Sequence, residues 1–547
     1  MSENRGNVMK FPRRFRWVFV TAIAASIFVP AASSSGAVSS SSTTGSSTLT
    51  IEAAEPTTGL NPAIAVTQAS IRLIELIYDP LIDYAKNGTL QPDIAQKWTL
   101  AANGRSYDFT IRKGAQFSDG SAITAEDVKF SIDQMRKGAA LGASLKDITG
   151  VKVTGPNNVT ITLAAPSRVI LNALATTGSA AILSEKAVNS NPNYFTMPTA
   201  TSGPWTLTNY TPQNQALLTA NTHYWHKGYP KIKTITYTFA SDTTAMSAAL
   251  ASGTADMTYN MNPADAVRLV KSGVIQVFRA QSAGLIMWGM DKSKPPFNDV
   301  RVRQAIAYMV PRQQAISTCW SGIGGVASTG NLIYKGDPLY TPGKQLFNLS
   351  SSHALAKASS LLNAAGWKVG PGGVRISQGV KGIPNGTKFA VQVPYENDWS
   401  QARCNTEMLQ QSLAPLGVHI TPEAYDGATF YTAVAAGKFE MYHAGDAFAN
   451  TDAYFASTFT CHGAATNLLA KWCNPQVDAL ITKAQQTSNL SKAGALYRQV
   501  QNIILAQQPM ISIGAQYAVI GVSKHLKGYY SRADVSNRGL IYASLSN

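Results

Sequence analysis

The chain has 547 residues, 45% of them hydrophobic and 14% charged, and a formal net charge of +16. That length exceeds what one hydrophobic core serves, so two or more lobes are expected. The excess is still +12 beyond residue 50, but those basic residues are scattered, which argues against a nucleic-acid binder and leaves at most weak attraction to an acidic envelope.

Lys10, Arg13, Arg14 and Arg16 precede a short apolar run over 17–32, with small residues after it. This reads as an export signal over 1–37, with candidate cleavage boxes ending at Ala31 and Ala37. The run is shorter than the roughly 20 apolar residues of a membrane span; an uncleaved anchor is the alternative. The flanks of Arg13-Arg14 fit a twin-arginine signal poorly. Residues 38–47, rich in Ser, Thr and Gly, read as a flexible tether. The fold is expected to begin near Thr48 with a strand over 49–53, and nothing beyond residue 50 is apolar enough to span a bilayer.

Residues 89–133 read TLQPDIAQKWTLAANGRSYDFTIRKGAQFSDGSAITAEDVKFSID. Tyr107, Phe109 and Ile111 alternate with polar residues, the period of a half-buried strand. Lys113-Gly114 and Asp119-Gly120 make turns. Thr124 is placed to cap a helix with Asp127 at its third position, and Val128, Phe130, Ile132 and Met135 give that helix its apolar residues.

Further along, Ser202-Gly203-Pro204-Trp205 predicts a turn, 233–239 a strand, and the run to Asp256 a helix end. Residues 296–305, PFNDVRVRQA, open a helix with Asn298 or Asp299 as N-cap. A helix over 354–366 stops at Gly366, a strand covers 388–394, a helix over 404–416 ends at Gly417, and a strand follows at 418–422. That rhythm predicts a second α/β lobe. A last long helix covers 490–507, and Gln508-Pro509-Met510-Ile511 returns the chain to strand. There is no internal repeat.

Residues 89–133, together with EPTTGLNP at 55–62, Ile77-Tyr78-Asp79-Pro80-Leu81, the turn at Trp205 and the 296–305 motif, resemble the extracytoplasmic solute-binding proteins of family 5, the peptide/nickel class that feeds ABC importers. The likeness runs from about 48 to 530. It implies an α/β, periplasmic-binding-protein-like two-lobe fold of the class II type, with an extra α+β subdomain and a hinged interlobe cleft. Lobe I would take 48–80, 200–284 and 515–547, the subdomain 81–199, and lobe II 285–514. It further implies an extracytoplasmic monomer that delivers a solute to an importer permease. A peptide is the first choice; an oligosaccharide, a nickel chelate or another metabolite is the alternative. No cofactor, no metal and no enzyme activity are expected. Relatives carry Asp where this chain has Pro311, a swap that costs little at a helix end. Many are lipoproteins anchored through a Cys after the signal, whereas the first Cys here is Cys319.

Motifs for chemistry are missing: there is no H-E-x-x-H, no G-x-S-x-G and no C-x-x-C. Ala327 breaks the dinucleotide pattern after Gly322-Ile323-Gly324-Gly325. His223 with His226, and His443 or His462, are the only thin leads to a metal, and an exported hydrolase is the remote alternative. The segment holding Cys461 and Cys473 resembles the Cys-closed loop of dipeptide-binding relatives, which implies that these two pair; a loop so short contributes about 3 kcal/mol in the chain-entropy model. Cys319 and Cys404 either pair or stay buried thiols.

Where the family holds its ligand, this chain offers Tyr78, Trp288, Tyr395, Asn397, Trp399, Tyr425, Asp426, Asp446, Phe448 and Asn450. Most follow predicted strands, the end at which open α/β sheets bind ligands. Peptide-binding relatives show Gly-Trp-x-x-Asp after one of these strands, the Asp pairing with the peptide's amino group. Here Gly445 stands for the Trp and Phe448 for the Asp. Recognition through aromatic and hydrogen-bond contacts is therefore expected, tolerant of a blocked amine.

Overall fold

The computed structural model describes residues 48–546 apart from 54–58, 66–67, 139, 143, 177, 213, 241, 260, 282, 324, 328–330, 344–345, 348, 398, 447, 449, 464–470 and 533–535. The expected signal, the tether and the start of the 55–62 turn lie outside the described residues.

A first core forms around strand Thr48–Ala53, whose alternating burial seats Leu49, Ile51 and Ala53 inward. It pairs in parallel with Thr234–Phe239 on one side and Met257–Thr258 on the other. Antiparallel Gln215–Ala220 and Trp205–Thr211 extend the sheet. Helix Gln68–Ile77 packs on it. The turn before Trp205 needs its glycine: a Cβ on Gly203 would lie 2.5 Å from the Ile77–Tyr78 peptide. That close approach lets Trp205 bury fully and donate to the Ile232 carbonyl at 3.0 Å.

A second core lies within 81–200. Strands Ala95–Leu100, Ser106–Ile111, Asn158–Leu163 and Ile148–Gly155 form an antiparallel sheet in that order. Tyr107, Phe109 and Ile111 are its buried residues, as their spacing predicts. Helix Ala125–Lys137 packs on the sheet, burying Val128, Ile132 and Met135. Its capping box is complete: Thr124 Oγ1 accepts from Asp127 N at 3.2 Å, and Asp127 Oδ2 accepts from Thr124 N at 2.9 Å. Such a cap contributes about 1 kcal/mol.

Residues 283–515 build two further cores on either side of a sheet. Ala390–Glu396 and His419–Tyr425 run parallel, and Met441–Gly445 pairs antiparallel with Ile286–Met290. Asp299 caps helix Val300–Met309, and Pro311 sits between that helix and Arg312–Cys319, where a missing N–H does no harm. Within the 296–305 motif, Arg303 donates to the Gln507 and Gln508 carbonyls, closing the end of helix Leu490–Gln507. The helix expected over 404–416 starts earlier, at Ser400, and its final turn, Ala414–Leu416, tightens to a 3-10 helix before Gly417 at φ +78°.

The long strand Met510–Ser523 joins the two sides. Residues 510–514 pair with Ile286–Met290, and residues 517–523 pair with Ile275–Gln281. The chain thus crosses twice, side by side, near 281–286 and 514–517.

The C-terminal segment is pinned by charge. Arg538, 3% exposed, places its guanidinium on Asp79, on Asp83 at 3.2 Å and on Asp93 at 2.5 Å. Arg532 adds a bond to Asp83 at 2.8 Å. Burial opposes the charge on Arg538, but Asp79, Asp93 and Asp83 outweigh it and raise its pKa. Burial, aided by Asp79, raises Asp93.

Both cysteine pairs are closed. Cys461–Cys473 forms as the resemblance implies, and Cys319–Cys404 resolves the open alternative, joining segments 85 residues apart.

Arg538→Ala leaves three buried carboxyls short of a partner, so urea denaturation should show a loss on the order of 3–5 kcal/mol. A loss below about 1 kcal/mol would mean that the cluster holds nothing in place.

Candidate functional site

Strands Ala390–Glu396 and His419–Tyr425 end together, and Asn397 N donates to Tyr425 O at 2.8 Å just past their ends. Strand Met441–Gly445 ends at the same edge, since Trp399 lies against Gly445. Three strand carboxyl ends therefore meet, the position at which open α/β sheets present ligands.

Trp399 is the half-buried aromatic there. Its ring meets His443 edge-on at 4.9 Å and Trp320 at 5.8 Å. It can do so because residue 445 is glycine: a Cβ there would sit 2.5 Å from the indole. Trp288 faces His443 directly across the antiparallel pair, the rings 6.1 Å apart. Asn405, on helix Ser400–Leu413, completes the group with its Nδ2 3.2 Å from His443 Nε2. Burial pushes His443 down to about 3, so the imidazole is neutral at any physiological pH.

The remaining expected residues spread around this edge. Tyr395 is buried in its strand, and Asn397 is exposed beyond it. Tyr425 packs on Phe439, and Asp426 caps helix Gly427–Ala435 through Thr429 N at 3.0 Å. Asn450 likewise caps helix Thr451–Phe459, accepting from Ala453 N at 2.9 Å. Tyr78 lies apart, in the first core, its hydroxyl 3.2 Å from that of Tyr194.

Asp446 and Phe448 sit at the chain crossing. Phe448 pairs with Ala283 through two backbone bonds, and Asp446 Oδ1 accepts from Leu285 N at 2.6 Å. The residue is half-buried, but protein surrounds its carboxyl, and burial raises it to about 8 against the pull of Leu285 N–H and Thr458. Gly284, at φ +142°, leaves the room this needs, because a Cβ would meet the Asp446 carbonyl at 2.3 Å.

Other contributors were not singled out in the sequence. Glu396, the last residue of its strand, accepts from Tyr431 OH at 2.9 Å. Trp320 and Asn405 each follow a cysteine of the 319–404 pair, so knowledge of that pairing would have brought them together. Arg168, at the start of helix Val169–Leu174, forms a two-pronged ion pair with Asp452 at 2.6 and 2.7 Å. Its main-chain N donates to Gln485 O and its Nε to Thr487 O, at the end of helix Pro475–Gln486. Tyr497 OH also donates to Asp452 Oδ1, at 2.6 Å. This contact links the 81–200 core to the 283–515 region. Among the described residues no cluster suited to a metal occurs, and no helix is long and apolar enough to cross a membrane.

A family model described as bacterial extracellular solute-binding proteins, family 5 Middle, matches residues 89–467. The dipeptide-binding protein of Escherichia coli (strain K12) is 26% identical over 503 residues, covering 86% of this chain and 90% of that protein. The oligopeptide-binding protein AppA from Bacillus subtilis, in complex with a nonapeptide, superposes with a TM-score of 0.75 at 20% identity, over 91% of this chain and 99% of its own. NikZ from Campylobacter jejuni in complex with Ni(L-His) gives 0.78 at 19% identity, over the same shares of the two chains. At such identities the two structures speak for the fold, which is that of the periplasmic binding proteins.

Asp446 titrates near 8 when folded, against about 3.9 when unfolded. The raised value means that its stabilisation is complete below about pH 4 and is lost as pH rises through 8. Asp446→Asn keeps an acceptor for Leu285 N–H and cannot ionise. Its melting temperature should therefore fall less than that of the wild type between about pH 5 and 8; equal slopes would show that the carboxyl is already ionised.

Proposed function

The chain belongs to the bacterial extracellular solute-binding proteins of family 5, and from that premise we propose that it captures a peptide outside the cytoplasm and hands it to the permease of an ABC importer. Relatives by sequence are themselves named as binding proteins, and several are named for dipeptides or glutathione. The export signal over 1–37, cleaved after Ala31 or Ala37, belongs to the same proposal.

The observation that carries it is the meeting of three strand ends beneath Trp399, beside a double chain crossing. Lobe I is proposed as 48–80, 200–284 and 515–547, the subdomain as 81–199 and lobe II as 285–514. The crossings at 281–286 and 514–517 would then be the hinge, because two adjacent strands can bend there without breaking either core. Closure would bring the face at Trp399 against lobe I and shut the solute from water. The Arg168–Asp452 pair spans subdomain and lobe II, so it belongs to the closed arrangement.

With Phe448 where peptide-binding relatives carry a carboxylate, and Asp446 committed to the Leu285 amide, no acid is left free at the usual place for an amino group. Calorimetry should therefore find matched free and N-acetylated peptides binding within about tenfold of each other, or about 1.4 kcal/mol. A loss of about 100-fold on acetylation, about 2.7 kcal/mol, would show that the amine is read after all.

Arg168→Ala removes one partner of a buried ion pair without touching the strand-end site. Small-angle scattering should show a larger radius of gyration in the ligand-free protein, and solute release should quicken by about tenfold or more. An unchanged radius and release rate would remove Arg168 from the closing motion.

A further inference from the structure

Of the buried polar side-chain atoms without a hydrogen-bond partner among the described residues, four belong to one contact group: Trp288 Nε1, Trp320 Nε1, Asn405 Oδ1 and His443 Nδ1. Each residue is at most 3% exposed. Trp399 lies over His443 and Trp320 and is the member that reaches the surface at the strand ends. A buried polar atom without a partner costs about 1–3 kcal/mol. Buried polar groups in native proteins are nearly always paired, so four in one layer mark a place where partners come from outside the chain.

The chemistry of the layer is uniform. It holds two indole N–H groups, an imidazole kept neutral by burial alone, and an amide; none carries formal charge. The nearest acids at the strand ends are engaged elsewhere: Glu396 with Tyr431, and Asp446 with Leu285. The layer is also held firmly, since the Cys319–Cys404 bond fixes the residues just before Trp320 and Asn405.

We propose that this layer is a solute subsite: with Trp399 as its cover, it takes an uncharged group, a hydroxylated ring or an amide, through Trp288, Trp320, Asn405 and His443. The proposal rests on the solute-binding reading and narrows its ligand. An ionised group would enter without a counter-charge, at a cost of several kcal/mol. An uncharged ring gains stacking on Trp399 and supplies the missing partners. Gly445 is what makes room for this cover, so the strand end is shaped for Trp399 and not for a side chain of its own.

The test uses the full mature protein and the double variant His443→Phe with Asn405→Leu, with Trp320→Phe as a second, milder variant. Three probes serve: an N-acetylated, C-amidated tripeptide, a neutral trisaccharide and the same tripeptide as a zwitterion. Wild type should bind at least one uncharged probe, with quenched tryptophan fluorescence. Both variants should bind it at least tenfold more weakly, and the double variant should melt no lower than wild type, because the polar atoms it loses had no partner in the chain beyond one another. A variant that melts lower yet binds the uncharged probe as wild type does would make the layer a buried-water site and overturn the proposal. Wild type that binds only the zwitterion also overturns it, and leaves the solute-binding reading standing. If no probe binds and no small molecule accompanies the purified protein, both readings fall.

Discussion

The guanidinium of Arg538 holds together parts of the chain that lie far apart in sequence. It sits at the far end of the sequence, yet its three carboxyl partners lie at Asp79, Asp83 and Asp93, where the first core gives way to the 81–200 core. Taking such charges out of water is costly, and only several well-placed opposite charges make it tolerable. Trp225 adds a donor to Asp79 at 2.7 Å, and Ser202 fixes its main chain at 3.0 Å. Residues from five segments thus converge on one joint. Two of the motifs that announce the family, Tyr78-Asp79-Pro80 and Gln91-Pro92-Asp93, are there to supply that joint with acid.

Charge elsewhere follows the same pattern. Arg303 and Arg375 spend their donors on carbonyls at helix ends, and Arg312 on those of Ser512 and Ala307. Arg168 spends its donors on Asp452 and on the end of a neighbouring helix. Buried charge in this molecule therefore fastens segments to one another. Beneath Trp399 lie aromatic rings and neutral polar groups, while Glu396 and Asp446 at the strand ends bond to Tyr431 and Leu285. A surface of that kind would distinguish solutes by shape and hydrogen bonding, and would disfavour an ionised group for want of a counter-charge.

Asp446 shows how a residue expected at a ligand site can find its partner within the chain. Its position after a strand is one where ligands are commonly met. The structure gives its carboxyl to Leu285 at the crossing, and Gly284 provides the space. Asn450 and Asp426 are similar: both stand at strand ends, and both cap the helix that follows. A short polar side chain in front of a helix finds backbone donors within reach before it finds a solute.

The features legible in the chain alone were local or periodic. The alternation at Tyr107, Phe109 and Ile111, the box at Thr124 and Asp127, the helix Leu490–Gln507 and the stop at Gly417 all depend on neighbours within a few residues, whose geometry the chain carries with it. The motifs likewise marked the family, and the short loop between Cys461 and Cys473 was legible from its likeness to relatives. Only the tertiary structure decided the rest. Trp288 meets His443 because two strands far apart in sequence pair in one register, and a shift of one residue would turn Trp288 to the other face. The segments carrying Trp320 and Asn405 are joined by a disulfide that the spacing left open, and Trp399 lies over His443 because Gly445 has no side chain. These are contacts between distant segments, set by how whole sheets and helices pack.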